Sequence, residues 1–187
     1  MKISWKIKEE EWRKQLLSYA SGNILEVGTG KGDNFKYYPL GVNVIATDMS
    51  ERMIGEARRE AKLRVVKTKF IVSPVEELRL EQQSFDTIIS TFSLSAFENP
   101  ETVLALFNDW CKPGGMILLL EYGLSKYGLV NWLQKKWEPF HYRRTGSHID
   151  RDILAILTGS NLRVKRAEAK YMGIVYLVWA SLHQDNK

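Results

Sequence analysis

The sequence predicts an α/β fold: a doubly wound, mostly parallel sheet of seven strands with an antiparallel strand at the C-terminus. Three observations carry this. Short runs of β-branched and aliphatic residues alternate with helical patterns through the first two thirds of the chain. The runs are largely apolar instead of alternating, as in strands buried on both faces. Near the C-terminus two strand-like runs follow one another with only a short link, which forbids a parallel crossover and pairs them antiparallel.

Asn23-Ile24-Leu25-Glu26-Val27 is the first strand, closed by Gly28. Lys31 to Tyr38 reads as a short helix stopped by Pro39. Val42 to Thr47 is the second strand, and Ser50 caps a helix through about Lys62. Lys69 to Val72 and Phe85 to Thr91 are the third and fourth strands. The helix from about Pro100 to Cys111 carries Val103, Leu104, Leu106, Phe107 and Trp110 on one stripe. Lys112-Pro113-Gly114-Gly115 is a turn into a fifth strand, Met116 to Tyr122. Tyr127 to Trp137 reads as helix, Glu138 to Ser147 as loop and Asp150 to Leu157 as helix. Asn161 to Ala169 and Tyr171 to Leu182 are the last two strands. With no repeat or linker, residues 1–187 are expected to form one domain.

The chain of 187 residues is 44% apolar and 26% charged, which excludes disordered, collagen-like and disulfide-stapled classes. One cysteine, Cys111, allows no internal disulfide and no cysteine-built zinc site, so no metal is expected. A reducing, cytoplasmic setting fits. The apolar stretch Met172 to Leu182 has eleven residues, too few to span a bilayer, and Met1 to Glu11 shows no signal-peptide core. The net charge is +5, and between Asn131 and Lys170 nine basic residues face four acidic ones. Such a balance can attract an anionic lipid surface or nucleic acid, although a solvated surface explains most of it. The oligomeric state is not legible.

The chemistry concentrates at the first strand-to-helix turn, Glu26-Val27-Gly28-Thr29-Gly30-Lys31-Gly32. Glycines there admit positive φ and close approach of a ligand, at the carboxyl end of the sheet where open α/β folds bind ligands. Asp48 ends the next strand, twenty residues after Gly28, where a carboxylate can accept both hydroxyls of a ribose. The two together indicate an adenosine-containing ligand. The spacing is G-x-G-x-G, not the dinucleotide G-x-G-x-x-G. Glu26 would repel a pyrophosphate but suits the ammonium of an amino-acid moiety. That favours S-adenosylmethionine over NAD.

Ile24 to Gly32 resembles the first motif of class I S-adenosylmethionine-dependent methyltransferases, and Ala46-Thr47-Asp48-Met49-Ser50 resembles their second. Ser84 to Phe92 resembles their fourth-strand motif, and Lys112-Pro113-Gly114-Gly115 the turn before their fifth strand. The resemblance covers Ile24 to Tyr122 and implies a Rossmann-like fold with the antiparallel last strand. It implies roles for matching residues: Asp48 on the ribose hydroxyls, Met49 on one face of adenine, and Gly28, Thr29, Gly30 and Gly32 along the methionine and ribose. Asn34 would reach the cofactor carboxylate, and Thr91 and Phe92 would lie beside the methyl group. Where quinone C-methyltransferases carry an acid for the adenine amino group, this chain has Pro74; either Glu76 substitutes or the backbone of Val75 holds the base. Gly32 to Pro39 and Gly146 to Asp152 also resemble small thiol S-methyltransferases, and similar architecture occurs in bacterial phosphatidylethanolamine N-methyltransferases.

The resemblance implies methyl transfer to a small-molecule or lipid-like acceptor. Rival readings are a catalytically weak cofactor-binding scaffold, a methyltransferase of RNA or protein, and an NAD-dependent oxidoreductase. A phenol, carbon or hydroxyl acceptor needs a general base, for which His141, Tyr142 and His148 are the candidates. A thiolate or free amine needs none. Trp132, Trp137, Phe140 and Tyr142, with Lys135, Lys136, Arg143 and Arg144 among them, lie in a substrate-covering insertion expected around residues 123–150. These aromatics suit a pocket lid and core packing equally. Interleaved basic residues there suit an anionic membrane better than RNA.

Overall fold

Seven strands form one sheet in the order β3-β2-β1-β4-β5-β7-β6 in a computed structural model that describes residues 2–64 and 66–183, with side chains from Trp5 onward. They are β1 (Asn23–Val27), β2 (Asn43–Asp48), β3 (Lys67–Val72), β4 (Phe85–Thr91), β5 (Cys111–Tyr122), β6 (Leu162–Lys170) and β7 (Val175–Leu182). The pairs among β1 to β5 are parallel, while β7 runs antiparallel to both β5 and β6. The chain reverses its direction of winding between β1 and β4, so a crevice opens at the carboxyl ends of β1, β2 and β4.

Five α-helices cover the sheet: α1 (Lys2–Leu17), α2 (Glu51–Arg64), α3 (Pro100–Trp110), α4 (Gly128–Thr145) and α5 (Ile153–Thr158). Successive strand residues alternate between two apolar layers. On one face Leu25, Ile88, Ile117 and Leu119 pack with Val103, Leu104 and Phe107 of α3 and Ile153 and Leu157 of α5. On the other, Ile24, Ile89, Leu118 and Leu120 pack with Trp12, Leu16 and Leu17 of α1 and Ala57 and Ala61 of α2. Asn99 caps α3 by accepting from the Thr102 amide at 3.1 Å, and Asp152 caps α5 by accepting from the Ala155 amide at 3.1 Å.

Five features differ from expectation. Helix α1 gives almost no sequence signal, because its apolar residues Ile3, Trp5, Ile7, Trp12, Leu16 and Leu17 keep no regular helical spacing. Burying Trp12, Leu16 and Leu17 nevertheless fixes it on the sheet, at about 1.5–3 kcal/mol per side chain. The helix expected over Lys31 to Tyr38 is instead a series of turns with one 3-10 turn, Phe35–Tyr37, since Gly30 and Gly32 both take positive φ. The loop expected over Glu138 to Ser147 is helical to Thr145. Pro139 stands inside α4 on its exposed side, where the Lys135 carbonyl it leaves unpaired can turn to water, and the helix ends only at Gly146, at φ 71°. The last strand begins at Val175, since Tyr171–Gly173 forms a tight turn in which Tyr171 and Met172 have φ of 47° and 59°. The Lys112–Gly115 segment lies within an irregular start of β5: Cys111 pairs with Phe85 before regular pairing resumes at Met116 with Thr87.

Candidate cofactor cleft

A cavity of about 580 Å³ fills the crevice. Its walls come from the glycine loop (Gly28, Thr29, Gly30), the end of β2 (Asp48, Met49), the loop after β3 (Pro74, Val75, Glu76) and the end of β4 (Thr91, Phe92, Ser93), with Phe97, Glu98, Arg13 and Thr145 closing one side. Its size is ordinary for a small-molecule site.

Gly28 sits at φ 69°, and a Cβ there would fall 2.4 Å from the Cβ of Ser93, so only glycine lets β1 and β4 close up at the crevice. Gly30, at φ 56°, has open space where a Cβ would point. The Gly30 amide donates to Asp48 Oδ2 at 2.9 Å and the Ser50 amide to Oδ1 at 2.9 Å. Two backbone donors thus fix the carboxylate on the cavity wall, each oxygen keeping acceptor capacity. The Thr29 hydroxyl is buried, and it closes no hydrogen bond although it lies near enough to Glu26 to favour that acid's charged form.

Arg13 is the residue that sequence reasoning missed. It is 7% exposed and reaches the wall from α1. One guanidinium nitrogen donates to Asn34 Oδ1 at 2.6 Å and Thr91 Oγ1 at 2.9 Å, and Glu9 accepts from the other edge at 2.8 and 3.0 Å. The group stands 5.5 Å from the Phe92 ring. Phe92 has φ of 54°, a strained value for a bulky residue, and its ring packs at 4.8 Å on Tyr122.

Glu26, Gly32 and Asn34 are not on the wall, contrary to expectation. Glu26 is 1% exposed and points into the α1 side of the sheet, where it accepts from Asn34 Nδ2 and the Tyr38 hydroxyl, both at 2.8 Å. Gly32 sits against the Phe35 ring. Asn34 stands behind the wall between Glu26, Thr91 and Arg13. The alternation of β1 explains the outcome for Glu26: it follows Leu25 and so must face the layer opposite to that of Leu25.

None of the three candidate bases reaches the wall either. Glu138 Oε1 lies 2.7 Å from His148 Nδ1, and Tyr142 stacks on the imidazole at 4.5 Å. His141 lies edge-on to Tyr122 at 5.7 Å with its Nε2 buried and unpaired. Of α4, only Thr145 touches the cavity. Glu138, His148 and Asp150 bring ligand-type atoms within 4.8 Å of one another, but Glu138 already holds His148 and the Ile149 amide. The acid of the fourth-strand motif, Asp86, works at the other end of the sheet. It accepts from the Asn23 amide at 2.8 Å and Lys112 Nζ at 2.7 Å, and Lys112 holds its carboxyl below the usual range.

Two buried carboxyls flank the crevice on opposite faces of the sheet. Burial pushes Glu26 up to about 7, against the opposing hydrogen bonds from Tyr38 and Asn34. Burial also pushes Glu121 up to about 7, against bonds from the Leu94 amide at 3.0 Å and the Ser90 hydroxyl at 2.7 Å. Both acids bind protons more tightly folded than unfolded. Their contribution is therefore fully present below about pH 4.5 and is lost as pH rises through about 7. Glu26→Gln and Glu121→Gln are each expected to remove on the order of 3 kcal/mol of that decline. Urea unfolding at pH 5 and pH 8 measures it: each variant gains on wild type at the higher pH, and parallel pH curves would contradict the assignment.

A methyltransferase-domain profile matches residues 25–119, which is half of the chain. Yeast (Saccharomyces cerevisiae) mitochondrial methyltransferase OMS1 is 27% identical over 194 residues, covering 94% of this chain and 41% of its own. Human thiol S-methyltransferase TMT1B is 31% identical over 130 residues, covering 66% and 53%. Phosphatidylethanolamine N-methyltransferase of Cereibacter sphaeroides is 26% identical over 151 residues, covering 76% and 71%. The chain thus spans about half or less of the length of the first two. The matched segment holds the glycine loop, the end of β2 with Asp48, the loop after β3 and the end of β4, all four of the cavity walls, and sets aside the nicotinamide reading. The chain belongs to the class I S-adenosylmethionine-dependent methyltransferases.

Proposed function

We propose that this chain transfers a methyl group from S-adenosylmethionine to a small-molecule or lipid-like acceptor by in-line displacement. The observation that carries the reading is the Asp48 carboxylate, locked on the cavity wall beside the open face of Gly30. Asp48 accepts the ribose hydroxyls on the lone pairs left free by the two backbone amides. Met49 covers one face of adenine, and Val75 and Glu76 border its edge. Gly28, Thr29 and Gly30 follow the chain toward the methionine end. There Arg13, braced by Asn34, takes the carboxylate, while Glu26 stays behind the wall and orients Asn34. Thr91 and Phe92 border the methyl group.

When bound, the cofactor supplies a methyl group already activated on a sulfonium. What remains for the chain is alignment and exclusion of water, and orientation of reactants contributes about 7–11 kcal/mol in favourable cases. The wall made by Thr91–Ser93, Ala96–Glu98 and Thr145 contains no histidine, tyrosine, cysteine or lysine, and its one carboxylate, Glu98, is exposed to water and so is a weak base. This supports an acceptor that attacks without a general base, namely a thiolate or an unprotonated amine. In this reading residues 1–187 act as one domain, with α4 and its flanks covering the acceptor end of the cleft. Among the described residues no helix is long and apolar enough to cross a membrane. The single thiol, Cys111, is buried, and burial pushes its pKa up to about 11, so it is poorly reactive.

Incubation with methyl-labelled cofactor and pooled thiols, amines, quinols and phospholipids tests the reading. Label is expected in the thiol or amine pool. Cofactor binding without transfer to any pool would contradict it and favour a scaffold. Gly30→Val is expected to abolish cofactor binding, because its side chain would occupy the cavity, and to cost about 1–2 kcal/mol of stability at that positive φ. Binding that survives in a calorimetric titration would show that the loop does not touch the ligand.

A further inference from the structure

Helix α4 carries its polarity inside out. Toward the body it presents Gln134, Glu138, His141 and Thr145. Gln134 is buried, donates to the Gly123 and Ile149 carbonyls at 2.9 and 2.8 Å, and accepts from the Ser125 amide at 2.9 Å. Glu138 is bonded to the Ile149 amide and His148. Toward solvent the helix presents Leu129, Trp132, Leu133, Trp137 and Phe140, each between 52% and 73% exposed. Their three- and four-residue spacing makes one stripe along the helix. A surface helix normally buries such a stripe against its own protein. Here Trp137 and Phe140 meet edge to face at 5.2 Å on the outside.

Charge surrounds the stripe with one sign. Lys135, Lys136, Arg143 and Arg144 are exposed, and none forms a salt bridge among the described residues. The only acid of the helix, Glu138, is turned inward. The β6–β7 turn adjoins the start of α4, where the Ser125 hydroxyl donates to the Met172 carbonyl at 2.6 Å. That turn holds two non-glycine residues at positive φ, Tyr171 and Met172, and exposes both side chains.

We propose that α4, with the Tyr171–Met172 turn beside it, docks on an anionic lipid surface. The indole, phenyl and leucine side chains enter the boundary between headgroups and acyl chains, the level that tryptophan prefers. The four basic side chains meet lipid phosphates. A protein partner or a second copy would have to bury or neutralise four like charges beside an apolar stripe, whereas a sheet of negative headgroups over hydrocarbon supplies both complements at once. Because Thr145 at the end of α4 lines the cleft, an acceptor dissolved in the same leaflet meets the cavity at the membrane surface.

The docking claim is independent of the methyl-transfer reading and is tested by binding alone. The full chain is incubated with vesicles of phosphatidylcholine and with vesicles of phosphatidylcholine mixed with phosphatidylglycerol. Sedimentation with the mixed vesicles and a blue shift of tryptophan emission are expected. Lys135→Gln with Lys136→Gln should weaken partitioning by about fivefold per charge removed. Trp132→Ser with Trp137→Ser should abolish partitioning while affinity for S-adenosylhomocysteine is unchanged, which shows the variant folded. No partitioning of wild type would overturn the proposal. So would a wild-type dimer in sedimentation velocity that the tryptophan variant makes monomeric without altering vesicle binding.

Discussion

Asp48→Ala is expected to weaken binding of S-adenosylmethionine and S-adenosylhomocysteine by about 10²- to 10⁴-fold, the loss of two hydrogen bonds to a charged acceptor. The fold should survive, since the Gly30 and Ser50 amides that Asp48 now holds lie at a half-buried site and can turn to water. Asp48→Asn separates the two roles. It keeps an acceptor for one backbone amide but loses the charge, and its affinity should fall between those of wild type and Ala. Calorimetric titration measures both, with thermal unfolding as the control. Unchanged affinity in Asp48→Ala would remove the ribose from this end of the cleft and with it the orientation proposed for the whole cofactor.

The second large effect concerns the other end. Arg13→Ala should weaken S-adenosylhomocysteine binding by about 30- to 5000-fold, the range for truncating one side of a buried, hydrogen-bonded charge pair. The informative comparison is with 5′-methylthioadenosine, which has the same nucleoside and sulfur but no carboxylate. Its affinity should be the same in wild type and Arg13→Ala, so the ratio of the two affinities isolates the amino-acid end of the ligand from any general damage to the site. Arg13→Lys should retain part of the binding: it keeps the charge but cannot span Glu9, Asn34 and Thr91 with one planar group. Equal losses for both ligands would mean that Arg13 only supports the wall.

The contrast between Asp48 and Arg13 shows what a sequence can and cannot display. Asp48 is legible because it ends a strand at a fixed distance from a glycine turn, and strand geometry alone carries it to the crevice. Arg13 comes from a helix whose apolar residues keep no single stripe, and its partners Asn34 and Thr91 lie 21 and 78 residues away. A tertiary contact of that span leaves no periodic mark. Glu26 illustrates a third case: its position in the motif is right, but alternation along β1 sends its side chain behind the wall. The parallel core and the antiparallel end of the sheet follow from apolar runs and link lengths, which are local. The continuation of α4 through Pro139 does not, because a proline reads as a stop unless its solvent exposure is known. Two of the three candidate bases, His141 and Tyr142, lie in the segment expected as loop, and once it is helical their directions follow the helix; His148 lies beyond α4 and is held by Glu138.

The central claim is that a nucleoside lies between the glycine loop and Asp48 with its amino-acid end at Arg13. A crystal structure of the protein with S-adenosylhomocysteine measures this directly. The account predicts the ribose hydroxyls on the Asp48 carboxylate and the ligand carboxylate on the Arg13 guanidinium; a ligand bound in the reverse sense, or outside this cleft, would contradict it.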